Sequence, residues 1–151
     1  QALSSHKKLR VFSAHKTFLG SIRGFSGSKD SLERIDLSGS AVEFIDILSG
    51  FTKLSYLNIG TTLIKSLEAL RWCVSLEILI MEVTEIEQIS CLCCCSSLRS
   101  LDIGYSYVDL MEIKLLDIGR SARNIKTHLD LRTTQAPLKR VYNTLQLISV
   151  N

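Results

Sequence analysis

The chain of 151 residues lacks the features that mark most functional classes. Charges interrupt every apolar stretch well short of the roughly 18 residues that a membrane-spanning helix needs. There is one proline, and aromatics make up 7%. No Asn-x-Ser/Thr sequon occurs, and no signal-peptide pattern is visible from Gln1 onward. No phosphate-cradling glycine loop, H-E-x-x-H or G-x-S-x-G is present. His6, His15 and His128 are far apart, so no nucleophile–base–acid arrangement is legible. These absences argue against a membrane helix, a nucleotide site, a zinc protease and a serine hydrolase. The chain is read as no enzyme, with no cofactor, no metal and no small-molecule substrate.

The net charge is only +3. Residues 1–30 carry six Lys/Arg against one acid, residues 31–119 six against thirteen, and residues 120–151 six against one. An acidic middle between basic ends makes a poor continuous track for a polyanion, so nucleic acid is a minor alternative.

The five cysteines are Cys73, Cys91, Cys93, Cys94 and Cys95. An odd, clustered count is no secreted disulfide framework. It favours a reducing intracellular setting, cytoplasmic in first expectation and with the nucleus open. Cys91 and Cys94 form one C-x-x-C, but a zinc site needs further ligands, and neither a second C-x-x-C nor a nearby His supplies them.

What the chain does have is a repeat. Leu9, Leu32, Leu54, Leu76 and Leu98 recur at spacings of 23, 22, 22 and 22, and a sixth copy begins at Lys126. Apolar residues follow three and five positions later, as in Leu57 and Ile59. A hydroxyl comes three positions further on: Thr17, Ser40, Thr62, Thr84, Ser106 and Thr134. A period-three apolar run then leads into the next copy, such as Ile64, Leu67, Leu70, Cys73 and Leu76. In that register Cys73 and Cys95 are core positions, about 5 Å apart on adjacent copies, and are read as free thiols.

The segment Leu54-Ser55-Tyr56-Leu57-Asn58-Ile59-Gly60-Thr61-Thr62-Leu63-Ile64 resembles the leucine-rich repeat family. The repeat length is similar to the short 22-residue class typified by a protein phosphatase regulatory subunit. Ser or Thr stands in all six copies where the family has Asn. The resemblance implies an α/β solenoid with a parallel sheet on its concave face. It also implies extended or 3-10 turns and one or two helices on the convex face.

The residues lead to the same architecture. Side chains two positions apart on a strand share a face, so Leu57 and Ile59 point to a core. No single copy buries that face alone; stacked copies do. Strands are expected at 11–14, 34–37, 56–59, 78–81, 100–103 and 128–131. In the fifth copy, Val108, Met111, Leu115 and Ile118 predict a helix over 109–118 with Gly119 as its C-cap. Leu138, Val141, Leu145 and Ile148 suggest a further helix after Pro137. The chain is read as a single domain, residues 1–151. Leu3 to Leu9 match the interior of a repeat, so a piece of a longer repeat protein is expected.

Alternation turns a second set of residues away from the core. Tyr56, Ile78, Ile80, Val83 and Tyr105 are expected to form an apolar island, with Arg34, Asp36, Glu82 and Asp102 around it and Asn58 within the same face. An apolar centre with a charged rim is the pattern of a protein interface. The expected function is a noncatalytic protein–protein interaction module that binds a protein partner on this concave face. The alternatives are a regulatory or sensing arm of a larger protein and, more remotely, a nucleic-acid scaffold.

Overall fold

A computed structural model describes residues 7–121 and 128–130. Six three-residue strands form one parallel sheet in chain order. They are β1 (Val11–Ser13), β2 (Arg34–Asp36), β3 (Tyr56–Asn58), β4 (Ile78–Ile80), β5 (Ser100–Asp102) and β6 (His128–Asp130). Strands β1 to β5 each stop one residue short of the expected span. The register is that of the repeat: Phe12, Ile35, Leu57, Leu79, Leu101 and Leu129 are successive partners across the sheet.

The ladder runs past the strands. Glu77 and Ile78 both donate their backbone N–H to the Ser55 carbonyl at the start of β4. At the other end, Ile59 donates to the Ile80 carbonyl and Met81 to the Asp102 carbonyl. One residue in each of five coils adopts positive φ at the same phase: Lys16, Gly39, Thr61, Val83 and Tyr105, between 52° and 67°. This left-handed kink lets four of those amides bond the next coil, as Thr61 N–H does to the Glu82 carbonyl. Gly39 meets the requirement without a Cβ penalty; the other four residues carry it.

The hydroxyl column follows. Thr62, Thr84 and Ser106 are buried and donate to the carbonyls of Ile59, Met81 and Ile103 at 2.7, 2.8 and 2.6 Å. Thr17 makes the same bond to Ala14 from an exposed position. A hydroxyl thus closes the turn within its own coil by satisfying a carbonyl three residues back. Ser40 is buried like its counterparts, but its Oγ has no partner.

The period-three runs fill the interior. Val42, Ile45, Leu48, Phe51 and Leu54, and their counterparts through Leu98, are at most 2% exposed. The convex side is built of 3-10 turns at Arg23–Ser28, Asp46–Leu48, Glu68–Trp72 and Ser90–Cys94. Such turns present every third residue to the same side, which is the period of the run.

The fifth coil contains a helix, α1 (Leu110–Ser121), and here two details differ from expectation. Gly119 lies within the helix and does not end it. Among the described side chains of the helix the inward ones are Ile113 and Leu116, while Met111 and Leu115 are 59% and 50% exposed; the side chain of Ile118 lies outside the described ones. Val108 is buried but precedes the helix, so counting helical phase from it misplaces the face. The phase is set by Asp109, whose Oδ1 accepts the Met111 N–H at 2.8 Å as an N-cap. It is also set by Glu112, whose Oε2 accepts from the Ile89 and Ser90 amides at 2.9 and 2.8 Å. Those bonds dock α1 on the turn Ser90–Cys94.

The expected sixth-copy start at Lys126, its Thr134 and Ala136, the segment after Pro137 and the match from Leu3 to His6 lie outside the described residues. No helix among the described residues is long and apolar enough to cross a membrane. Leu79→Ala is expected to destabilise the chain by about 2–5 kcal/mol, because it opens a cavity between two coils. Urea unfolding followed by circular dichroism measures this; a loss under about 1 kcal/mol would contradict the packing.

Candidate functional site

The concave face is the outward side of the sheet. In-register pairing places Tyr56 beside Ile78, Asn58 beside Ile80, and Ile80 beside Asp102. Tyr56, Ile78 and Ile80 are half-buried. Val83 and Tyr105, one turn beyond, are 49% and 51% exposed. The five apolar residues expected together therefore occupy one face of coils three to five, with its centre lower in the surface than its edge. Arg34 does not stand apart as a rim charge. Its guanidinium lies 4.1 Å from the centroid of the Tyr56 ring and extends the apolar surface by stacking.

The carboxylates and amides of this face have structural tasks. Asp36, Asn58 and Asp102 each accept, through Oδ1, the backbone N–H two residues on, at 3.0, 3.0 and 2.9 Å. These Asx turns end the strands. Ile80 holds the same phase in the fourth coil and has no oxygen to offer. Glu82 is exposed, and its side chain passes over Gly60: a Cβ there would lie 3.1 Å from Glu82 Cγ. Val83 is a β-branched residue at φ 55°, a conformation that disfavours it.

One constellation went unread in the sequence. His15 Nδ1 is 2.7 Å from Ser38 Oγ, and Ser38 Oγ donates to Asp36 Oδ1 at 2.6 Å. The signal was available, because His15 and Ser38 share one column on adjacent coils. The order differs from that of a hydrolase triad, in which histidine takes the hydroxyl proton. Here the hydroxyl proton goes to the carboxylate, so Nδ1–H is the donor to Ser38 Oγ. The chain of bonds ties coil one to coil two.

Flanking the strands are two ion pairs between adjacent coils: Arg10 bonds both carboxylate oxygens of Glu33, and Arg99 directs Nε and Nη2 at the single oxygen Oε2 of Glu77. The arginine of the first pair and its glutamate hold each other charged: Arg10 is raised and Glu33 lowered, each chiefly by their shared hydrogen bond. Both pairs are solvent-accessible and lend little stability.

The cysteines divide by register. Cys73 and Cys95 are buried thiols that donate to the carbonyls of Leu48 and Leu70, one coil back. Burial pushes the Cys73 thiol up to about 11 and the Cys91 thiol up to about 12. Cys93 and Cys94 are half-buried on the convex side. Among the described residues, no three or more His, Cys, Asp or Glu gather in a way that would hold a metal ion.

No family model matches the sequence, and no curated protein matches it. Solved structures do. An internalin of Listeria monocytogenes superposes with a TM-score of 0.73 at 20% identity, covering 85% of this chain and 38% of that one. Internalin C2 of the same species gives 0.70 at 22% identity, over 76% and 51%. A leucine-rich-repeat protein of Leptospira interrogans gives 0.65 at 11% identity, over 81% and 37%. The chain thus spans about half or less of the length of each. The fold is the leucine-rich-repeat solenoid.

Two outcomes follow from this geometry. Val83→Gly should leave stability unchanged or raise it by up to about 1 kcal/mol, as relief of left-handed strain outweighs glycine's entropy; a thermal melt showing a large loss would mean the side chain holds the coil. At pH 8, iodoacetamide should label Cys93 and Cys94 well before Cys73 and Cys91, because burial lowers the thiolate fraction of the latter pair. Peptide mapping by mass spectrometry reads the order, and early labelling of Cys73 would contradict its burial.

Proposed function

We propose that the chain is a noncatalytic protein-binding module whose partner sits on the concave face. The binding residues are Arg34, Asp36, Tyr56, Asn58, Ile78, Ile80, Glu82, Asp102 and Tyr105. The observation that carries this reading is Ile80. Its phase carries an Asx-turn oxygen in coils two, three and five, and the fourth coil forgoes that bond for an aliphatic side chain beside Ile78. A solenoid gains nothing in solubility from two isoleucines on an open sheet face. Strained Val83 borders the same patch, and local strain of this kind gathers at functional positions.

Tyr56 stacked under Arg34 supplies an aromatic–arginine pair, the side chains most enriched at interface hot spots. Asp36, Asn58 and Asp102 act mainly by holding the strand ends in shape. Glu82 and Tyr105 are the polar contacts left to specify the partner.

The repeats belong, in this reading, to the short 22-residue class, on their spacing and their 3-10 convex turns. Residues 1–151 form one domain of about six repeats. A regulatory or sensing arm of a larger protein is the second reading, favoured by the 37–51% of the neighbours' lengths that the chain spans. The odd, clustered count of five cysteines favours an intracellular, cytoplasmic or nuclear, setting.

Ile80→Asp tests the proposal. It should leave unfolding within about 0.5 kcal/mol of wild type. It should weaken a partner captured by the wild-type chain by at least about 2 kcal/mol, roughly 30-fold. Leu79→Asp, one residue away and fully buried, should unfold the chain by burying an unpaired charge. Equal destruction by both would mean the face is covered within the protein. Wild-type binding by Ile80→Asp would remove the concave site.

A further inference from the structure

The repeat register explains three of the five cysteines. Cys73 and Cys95 take the core position that Phe51 fills in an earlier coil, and all three are buried. Cys91 takes the position of Ile47 and Ala69, which pack against the core. Cys93 is half-buried and also packs against the core, but the repeat register calls for no apolar residue there or at Cys94. The equivalent positions carry Ser49 and Gly50, then Arg71 and Trp72, so the solenoid makes no demand for sulfur there.

The two thiols are consecutive, half-buried and on the convex turn Ser90–Cys94, opposite the concave face. Their Sγ atoms are 3.7 Å apart. Two thiolates bound to one tetrahedral ion at about 2.3 Å stand about 3.8 Å apart. A disulfide is the poorer use of this pair. Neighbouring Cα atoms are about 3.8 Å apart, under the roughly 4.4 Å where disulfide geometry begins.

We propose that Cys93 and Cys94 form a bidentate thiolate site for a thiophilic ion, of the class that includes trivalent arsenic and other soft cations. The chelate has two protein ligands, both from one turn, and its remaining positions go to solvent or to a second molecule. Soft thiolate pairs select such ions over hard ones. The proposal is independent of the concave face and stands or falls without it.

Phenylarsine oxide is the probe. Two As–S bonds form, the arsenic remains trivalent, and the oxide oxygen leaves as water with both thiol protons, so no oxidant or reductant is needed. The reduced full chain should retain one equivalent, seen by native mass spectrometry. The adduct should resist excess 2-mercaptoethanol and be released by dithiothreitol, because a monothiol cannot compete with two thiols held together. Cys93→Ser and Cys94→Ser should each lose this resistance, with retention at least about tenfold weaker. Cys91→Ala should keep it. Circular dichroism confirms that each variant is folded. Should Cys91→Ala misfold, the comparison of the two thiols on the wild-type adduct still decides. Release of that adduct by 2-mercaptoethanol as readily as from the serine variants overturns the proposal. So does full retention by both serine variants, which would place capture at another pair.

Discussion

Each coil depends on the backbone ladder that joins it to the next. Leu57 cannot be buried by its own 22 residues; it is buried because Ile35 and Leu79 stand beside it, one strand spacing away on either side. The ladder holds that spacing, and the left-handed residue after each strand extends it by one more bond in four of the coils. Core packing, turn hydroxyls and concave columns then follow from one repeated geometry. A substitution that breaks the ladder in one coil is felt by its two neighbours first.

The same repetition makes departures readable. Where every coil faces the same physical demand, a residue that fails to meet it stands out against its equivalents. Ile80 fails to supply the Asx oxygen that Asp36, Asn58 and Asp102 supply. Val83 accepts the strained backbone that Gly39 accepts freely. Both fall on coil four and on the same face, beside Tyr56 and Ile78. The fold tolerates them because its ladder bonds involve the backbone alone.

The cysteines show the other side of this logic. Three of them are small apolar fillers in a packed interior, with thiols directed at carbonyls or shielded from water. Their chemistry is suppressed by burial. Cys93 and Cys94 sit half-buried on the turn that α1 docks against through Glu112, with Cys93 against the edge of the core.

The sequence alone determined the period, the strand positions, the direction of each strand side chain and the buried hydroxyl column. These are properties of local alternation and of repetition, and both are linear. It also placed the candidate site, since a column of the repeat is a column of the sheet. Tertiary structure decided the rest. The buried face of α1 depends on where Asp109 and Glu112 anchor it, a contact 22 or 23 residues away along the chain. Arg34 became part of the apolar surface because the Tyr56 ring lies one coil over. The bond from His15 through Ser38 to Asp36 needs two coils at their folded spacing. Asp36, Asn58 and Asp102 became turn-formers because the chain bends where each strand ends, bringing the amide two residues on within reach. Pattern along the chain sets which way a side chain points; only the stacked coils set what it meets.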